Sequence, residues 1–368
     1  MKVRAAVLYE ENKPLEIKEV ELLPPGEHEV LVKLSASGVC HSDLSSATGK
    51  SPTKLPAILG HEGAGVVEQV GPGVTNVKPG DHVVLSWNPD CGECDECNRG
   101  LPHLCSNAWK GMFAGGLLDG TSRFRLDGEA IFHYSMVSSF AEKVVVPDRS
   151  CVVINQDVPL EIASLVGCAV TTGVGAVWNT AQVRPGDRIA VFGCGGVGLS
   201  AVLGAIAVGA SQIIVVDTRA DKLETALRMG ATDAVQSTGT PEETAAEILR
   251  LSNGGVDYAF DAVGAPSVTL SAFLSTRKRG AAVVIGIPAQ DAVIPIPALS
   301  IPRMERRILG SLYGSASPRR DFPLILDLFM RGRLPLDKLI SHRLRLDEAQ
   351  HAMDLVKDGA AVRAVLQF

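Results

Sequence analysis

The sequence predicts an α/β protein that joins a β-rich, barrel-like domain to a doubly wound parallel sheet. Up to about residue 170, short β-like runs such as EVLVKLSASG alternate with turn signals such as GPG at 71–73. Beyond that point, strand-like runs such as RIAVFG alternate with helical patterns such as GVGLSAVLGAIAVGA. Repeated strand–helix–strand units are typical of a parallel sheet with both faces covered. The change of pattern therefore indicates two domains within 368 residues.

The composition indicates a globular protein and argues against two classes of function. Hydrophobic residues make up 46% of the chain and charged residues 21%, which favours a packed core over disorder. The formal net charge is −6, and no basic stripe is visible, so we expect neither a nucleic-acid binder nor a membrane-surface binder. The start, MKVRAAVLYEENK, has only a short apolar run and does not resemble a signal peptide. We therefore expect a soluble, cytoplasmic protein.

Residues 189–216 carry no charged side chain, a length that would suit a transmembrane helix. Six glycines interrupt this run, and four of them cluster in GCGGVG. The run is better explained as a buried strand, a glycine turn, a helix and a second buried strand.

The glycine cluster matches the dinucleotide-binding pattern G-x-G-x-x-G, after a strand and before a helix. Gly193 would allow the tight turn, Gly195 the approach of a pyrophosphate, and Gly198 close packing of helix and strand. Free N–H groups of the helix N-terminus would also face the phosphates. The candidate cofactor-binding residues of this motif are Gly193, Gly195, Gly196, Val197 and Gly198.

The end of the next predicted strand indicates which dinucleotide is preferred. Asp217 can accept hydrogen bonds from the adenosine ribose hydroxyls and repels a 2′-phosphate, which favours NAD over NADP. Arg219 lies close by and could hold a phosphate, so it is the residue that argues for the other cofactor.

The stretch CGECDECNRGLPHLC supplies four cysteines within fifteen residues, at 91, 94, 97 and 105. Four thiolates close a tetrahedral zinc site and leave no position for water or substrate, so the predicted zinc is structural. Disulfides are disfavoured in a reducing cytosol, and a redox pair would need one C-x-x-C rather than two overlapping ones. His103 could in principle replace Cys105, but four thiolates form the simpler ligand set.

Several motifs, in order, resemble those of the zinc-dependent medium-chain alcohol dehydrogenases. They are GVCHSD, GHEGAGVVEQVG, the four-cysteine loop, VGCAVTTGVGAV, GCGGVGLS, GSLYGS and the closing GAAVRAVLQF. The resemblance implies a GroES-like catalytic domain at 1–169 and 313–368, with the structural zinc lobe at about 91–105. It also implies a Rossmann domain at 170–312.

The resemblance further implies a second, catalytic zinc held by Cys40, His61 and Cys168, with an open fourth position. Glu62 would be the carboxylate behind the zinc ligands, and Asp43 would orient the ligand histidine. Two thiolates and an imidazole suit zinc, and a carboxylate on the far ring nitrogen fixes the tautomer of the histidine. The expected cofactors are therefore two zinc ions per chain and NAD.

The implied reaction is reversible hydride transfer between an alcohol carbon and the nicotinamide. Ser42 would carry the proton of the alcohol away, although Ser45 stands where many relatives have the outer relay histidine. The resemblance also assigns His41 and Arg363 to the cofactor phosphates and Lys222 to the adenosine ribose. Trp87 would line the substrate slot, which hints at a larger primary alcohol, aromatic, allylic or terpenoid.

Two other enzyme functions remain open at this point. One is a thiol-dependent formaldehyde dehydrogenase, which oxidises an S-hydroxymethyl adduct. The other is a nicotinoprotein alcohol oxidoreductase, which keeps NAD bound and passes electrons to another acceptor. A non-enzymatic zinc and nucleotide-binding module is disfavoured by the acidic charge.

Assembly is predicted from the segment AVIPIPAL at 292–299, which follows a late strand, GAAVVIGIP. Its prolines lack ladder donors and belong at a sheet edge or in a non-pairing position. An apolar edge invites pairing with another chain, and the resemblance implies that two nucleotide-binding domains meet there. We therefore expect a homodimer, or a tetramer of two dimers, with residues near 285–303 in the contact.

Overall fold

A computed structural model describes residues 1–368, which form eighteen strands and twelve helices. The strands are β1 (Lys2–Leu8), β2 (Glu16–Leu22), β3 (Glu29–Val39), β4 (Ala57–Ile58), β5 (Glu62–Val70), β6 (His82–Leu85), β7 (Phe124–Leu126), β8 (Glu129–His133), β9 (Lys143–Pro147), β10 (Cys151–Val153), β11 (Arg188–Phe192), β12 (Gln212–Asp217), β13 (Asp233–Gln236), β14 (Val256–Asp261), β15 (Thr276–Val284), β16 (Arg307–Gly310), β17 (Ile340–Arg345) and β18 (Arg363–Gln367). The helices are α1 (His41–Ala47), α2 (Asp95–Asn98), α3 (Ser106–Ala114), α4 (Leu160–Val166), α5 (Ala169–Gly175), α6 (Gly196–Val208), α7 (Ala220–Arg228), α8 (Pro241–Leu251), α9 (Pro266–Leu274), α10 (Ser300–Met304), α11 (Pro318–Met330) and α12 (Ala349–Lys357).

The chain divides into two compact units. The first unit comprises Met1–Cys168, Ser317–Arg331 and Leu339–Phe368. The second unit comprises Ala169–Ala316 and Gly332–Lys338.

The first unit contains a closed five-stranded barrel in the order β1-β2-β7-β8-β4 and a seven-stranded sheet in the order β10-β6-β5-β3-β18-β17. The seventh strand, β9, also pairs with β3. Most neighbours are antiparallel, and alternating apolar residues supply a core in which Leu8, Leu22, Phe124 and Phe140 are fully buried. This architecture confirms the predicted β-rich domain.

The C-terminal strand of the chain completes the sheet of the first unit. β18 pairs antiparallel with β3, so that Ala364 lies opposite Val39 and Val365 opposite Gly38. Arg363, the first residue of β18, is thereby placed beside the end of β3.

The second unit contains six parallel strands in the order β13-β12-β11-β14-β15-β16. This is the order 3-2-1-4-5-6 of a Rossmann fold, in which ligands bind at the carboxyl ends of the strands where the order reverses. Phe192, Ile214 and Phe273 lie in its core. The charge-free run at 189–216 forms β11, a turn, α6 and β12, as predicted.

No single helix is long and apolar enough to cross a membrane; Leu160–Val166 and Ala169–Thr180 reach that length and hydropathy only when counted together.

The proline-bearing segment at 292–299 forms neither strand nor helix. The edge strand next to β15 is β16 instead. Proline removes the donors that a ladder needs, which explains why this segment does not pair. Ile287 and Val293 are each 79% exposed and Leu299 is 63% exposed, so large apolar side chains do lie on the surface here.

Candidate metal centres and dinucleotide site

Four potential metal ligands meet in the first unit. Cys40 directly follows β3, His61 precedes β5, Glu62 begins β5, and Cys168 follows α4. Because α4 packs on both β3 and β5, these positions come together although they are distant in the sequence. The four donor atoms all lie within 4.8 Å of one another.

This donor set fits zinc. His61 is 3% exposed and Cys40 6% exposed, and the Cys168 side chain is half-buried. Buried thiols and an imidazole with no disulfide among them are the borderline-soft ligands that zinc prefers. Three such ligands leave one coordination position for a small molecule, which is the pattern of catalytic rather than structural zinc.

Asp43 orients the histidine of this group. Its Oδ1 lies 3.1 Å from His61 Nδ1 and also accepts a hydrogen bond from the Gly60 N–H, while its Oδ2 accepts one from the Cys40 N–H. Asp43 is fully buried and lies in the first turn of α1. The carboxylate therefore holds the proton on Nδ1 and leaves the Nε2 lone pair available for a metal.

The protonation of the two cysteines is coupled. The Cys168 thiol donates to Cys40 and, together with the imidazole of His61, holds the pKa of Cys40 well below its usual range in spite of burial. The same contact and burial raise the pKa of Cys168. Burial opposes a charge on His61, but the Asp43 carboxylate outweighs it and raises the pKa of the imidazole.

Glu62 forms a buried ion pair with Arg363. Glu62 is fully buried and Arg363 is 5% exposed. Burial raises the pKa of Glu62 to about 7, although the guanidinium of Arg363 opposes this shift. A Cβ at Gly38 would overlap the Glu62 carboxylate, so only glycine allows β3 to pass this close. The Nε of Arg363 has no hydrogen-bond partner.

Ser42 and Tyr134 flank the metal group. Ser42 Oγ lies 3.7 Å from Cys40 Sγ, and the Tyr134 hydroxyl donates to the Ser42 carbonyl at 3.2 Å. The Tyr134 ring meets the His61 ring edge-on at 5.6 Å. Tyr134 cannot be predicted from the sequence, since a tyrosine after a short strand carries no signal of this contact.

The second metal centre is formed by the four-cysteine loop. Cys91 and Cys97 have their sulfurs 4.0 Å apart, and Cys94 and Cys105 have theirs 3.9 Å apart. Ligands of a tetrahedral zinc–thiolate site lie about 3.8 Å apart, so the spacing fits. Four thiolates fill a tetrahedral coordination sphere and leave no position for substrate, as in structural zinc sites.

Backbone N–H groups stabilise the thiolate form of Cys91 in this loop. Cys91 Sγ accepts from the N–H of Cys94 at 3.3 Å and of Glu93 at 3.5 Å. Burial opposes ionisation, but these donors lower the pKa of Cys91 to about 6. His103, the alternative ligand, is buried but lies outside the group, and its Nδ1 has no partner.

The dinucleotide motif begins where β11 ends in the second unit. Gly193 has φ of 90°, a left-handed conformation that favours glycine. A Cβ at Gly198 would overlap the Gly193 carbonyl, whereas a Cβ at Gly195 would meet nothing within 4 Å. The space beside Gly195 is therefore open, and α6 begins there with the free N–H groups of Gly196 and Val197. Together they form a cradle that fits a pyrophosphate.

The carboxylate of Asp217 closes the far side of this turn. Its Oδ2 accepts from the Cys194 N–H at 2.8 Å, and its Oδ1 accepts from the Arg219 N–H at 3.0 Å. Burial and the Asp217 charge raise the pKa of Cys194, and the ammonium of Lys222 partly offsets this shift. Lys222 therefore lies close enough to the same turn to interact with it electrostatically.

The remaining predicted residues lie in the first unit. His41 is the exposed first residue of α1, and Ser45 is half-buried one turn later. Trp87 lies two residues after the end of β6 and packs against the core of the unit. The roles of His41 and Trp87 toward cofactor and substrate stay predictions.

Two protein-family models match the chain. Residues 26–156 match the alcohol dehydrogenase GroES-like domain, and residues 196–331 match the zinc-binding dehydrogenase domain.

Similar proteins span the whole chain. An S-(hydroxymethyl)glutathione dehydrogenase of Synechocystis is 40% identical to this chain over 370 residues. The alignment covers 100% of both proteins. The crystal structure of benzyl alcohol dehydrogenase from Acinetobacter calcoaceticus has a TM-score of 0.94 and 33% identity, over 100% of this chain and 99% of that one. A putative zinc-binding dehydrogenase from Sinorhizobium meliloti bound to NADP has a TM-score of 0.82 and 25% identity, over 100% of both chains.

Proposed function

The chain belongs to the zinc-dependent medium-chain alcohol dehydrogenase family, and from this premise we propose that it oxidises a primary alcohol to an aldehyde with NAD as the hydride acceptor. The buried group of Cys40, His61 and Cys168 carries the proposal. These three residues could hold zinc, and Glu62, the fourth potential ligand, is paired with Arg363, which would leave one coordination position open.

The fold provides a place for each cofactor. When bound, zinc supplies a Lewis acid that lowers the pKa of an alcohol hydroxyl, and NAD supplies the hydride acceptor. Cys40, His61 and Cys168 would hold the catalytic zinc, and the four-cysteine loop would hold a structural one. Gly193 to Gly198 and Asp217 would hold the dinucleotide.

The residues around the zinc ligands have distinct tasks in this proposal. Asp43 fixes the tautomer of His61, so the imidazole presents Nε2. The Ser42 hydroxyl takes the proton that the alcohol loses, and Tyr134 fixes the backbone that carries Ser42. The Glu62–Arg363 pair places one negative and one positive charge behind the ligands without adding net charge.

The release of the proton differs from the usual relay of the family. Ser45 stands at the position of the outer histidine, and a neutral hydroxyl is too weak a base to hold an extra proton at neutral pH. Ser42 therefore passes its proton to water or to a ribose hydroxyl of the cofactor. As a result, no histidine titration from this position is expected in the dependence of kcat on pH.

A panel of alcohols tests the proposal. Purified enzyme is given aromatic, allylic and aliphatic primary alcohols and matched secondary ones, with NAD and NADP side by side, and NADH or NADPH formation is followed. We expect turnover of primary alcohols with NAD, and a higher kcat/KM for the aromatic or allylic ones. The structural likeness to a benzyl alcohol dehydrogenase supports that order. No turnover of any alcohol with either cofactor would overturn the proposal.

A second candidate is the oxidation of S-(hydroxymethyl)glutathione. The full-length identity of 39–40% to dehydrogenases of that name favours it. Formaldehyde is supplied with glutathione, without it, and with a thiol that lacks the glutathione carboxylates. Turnover that requires glutathione and exceeds that of every simple alcohol would favour this candidate over the first.

NADH that stays bound to the protein through purification would instead indicate a permanently bound cofactor, as in a nicotinoprotein.

A further inference from the structure

The loop between β12 and α7 contains an arginine beside Asp217, the carboxylate that the proposed function assigns to the cofactor ribose. Asp217 ends β12, and Arg219 is the N-cap residue of α7. The Arg219 N–H donates to Asp217 Oδ1 at 3.0 Å, so the two residues belong to one turn. A guanidinium here is the group that would recognise a 2′-phosphate in NADP.

Arg219 is already engaged by a second carboxylate. Its Nε donates to Asp221 Oδ1 at 3.0 Å and its Nη2 donates to Asp221 Oδ2 at 2.6 Å. This fork-to-fork geometry uses the edge of the guanidinium that would otherwise bind a phosphate. The contact with Arg219 also holds the pKa of Asp221 below its usual range, so the pair is charged at neutral pH.

We propose that Asp221 is a specificity-determining residue, which holds Arg219 away from the 2′ position and so enforces the preference for NAD. The inference rests on the NAD preference in the proposed function. A 2′-phosphate would meet the Asp217 carboxylate and an arginine whose Nε and Nη2 already donate to Asp221. Asp221 acts through Arg219 rather than by contact with the cofactor, which makes it a positioning residue.

The ion pair suits this task because it is accessible. Arg219 is 43% exposed and Asp221 is 64% exposed, so the pair adds little to stability and can be removed without harm to the fold. Asp221 also lies in the first turn of α7, where the loss of one carboxylate removes only a weak interaction with the helix dipole.

Direct binding of NADH and NADPH tests the proposal without any alcohol. Dissociation constants are measured by fluorescence at one ionic strength for the wild type, Asp221→Asn, Arg219→Gln and the double variant. Glu224→Gln is the matched control, because it removes one carboxylate from the same helix, one paired with Arg228 at 3.8 Å. Asp217→Gly is the positive control and should relax the discrimination directly.

We expect Asp221→Asn to bind NADPH several-fold more tightly than the wild type, with NADH affinity nearly unchanged and the melting temperature retained. The gain should vanish in the double variant with Arg219→Gln and be absent in Glu224→Gln. An unchanged NADPH affinity in Asp221→Asn would overturn the inference. So would a gain that persists in the double variant, because Asp221 would then act by its own charge.

Failure of the cofactor proposal would look different. A wild type that binds NADPH as tightly as NADH would contradict the NAD preference itself, before any variant is compared.

Discussion

At the scale of single residues, replacing Cys168 should abolish activity without unfolding the protein. Cys168 is a proposed ligand of the catalytic zinc, and its half-buried side chain follows α4. Serine is nearly isosteric but a poor zinc ligand, so Cys168→Ser should remove the catalytic zinc and abolish turnover.

We expect zinc content to fall from about two ions per chain to about one, while circular dichroism is unchanged. Cys97→Ser, in the other centre, is the matched control. A Cys168→Ser variant that keeps both zinc ions and its turnover would show that another residue completes the site.

His133 makes the protein sensitive to acid. It is 2% exposed, and burial, aided by the charge of Arg123, lowers its pKa to about 3. The unfolded chain therefore takes up this proton first, near its ordinary pKa of about 6.5. The stability that neutral His133 provides is complete above about pH 6.5 and is lost as the pH falls toward about 3.

His133→Gln keeps an acceptor for the Arg123 N–H but does not titrate. Between about pH 7.5 and pH 5, the free energy of unfolding of the wild type should fall by about 2 kcal/mol more than that of His133→Gln. Urea denaturation at the two pH values measures this. Loss of zinc in acid affects both proteins and cancels in the comparison. Equal losses would mean that His133 can be protonated in the folded state.

At the scale of elements, we expect the four-cysteine loop to depend on a bound zinc ion. Residues 91–105 contain only a four-residue helix, α2, and one short 3-10 turn, too little to form a core of their own. Cys97→Ser should therefore lower the melting temperature and disorder the loop, since metal binding supplies its folding energy. Proteolysis within the loop, compared with Cys168→Ser, measures this. An unchanged melting temperature and cleavage pattern would contradict a structural role.

The elements differ in how far the sequence could predict them. The glycine motif, β11, α6 and β12 follow local patterns, so the sequence predicts both their type and their order. The Glu62–Arg363 pair joins β5 to β18 across most of the chain, and no local pattern indicates it. The resemblance implies a role for each residue but not their contact, and the contact of Tyr134 with Ser42 likewise lies outside any local pattern.

At the scale of the whole molecule, exposed apolar side chains predict association. Val293 and Leu299 lie on the segment that follows β15, and β16 leaves the sheet with an unpaired edge. We therefore expect a homodimer, or a tetramer of dimers, that buries this segment. Ile294 and Ile296 are half-buried, so charged substitutions there would also disturb the fold.

Val293→Asp and Leu299→Asp should split the dimer, whereas Leu324→Asp, at an exposed position of α11, should not. Light scattering over a range of concentrations measures the mass of each variant. A wild type that is monomeric at every concentration, with full activity, would remove the prediction.

The proposed alcohol dehydrogenase activity is tested most directly by following a labelled hydride. The enzyme is mixed with NAD and a primary aromatic alcohol that carries two deuterium atoms on its carbinol carbon, and the reduced cofactor is analysed by mass spectrometry. We predict that one deuterium passes to the nicotinamide, that the aldehyde keeps the other, and that Cys168→Ser forms no reduced cofactor. A reduced cofactor without deuterium, or equal transfer by Cys168→Ser, would contradict hydride transfer at the Cys40, His61 and Cys168 site.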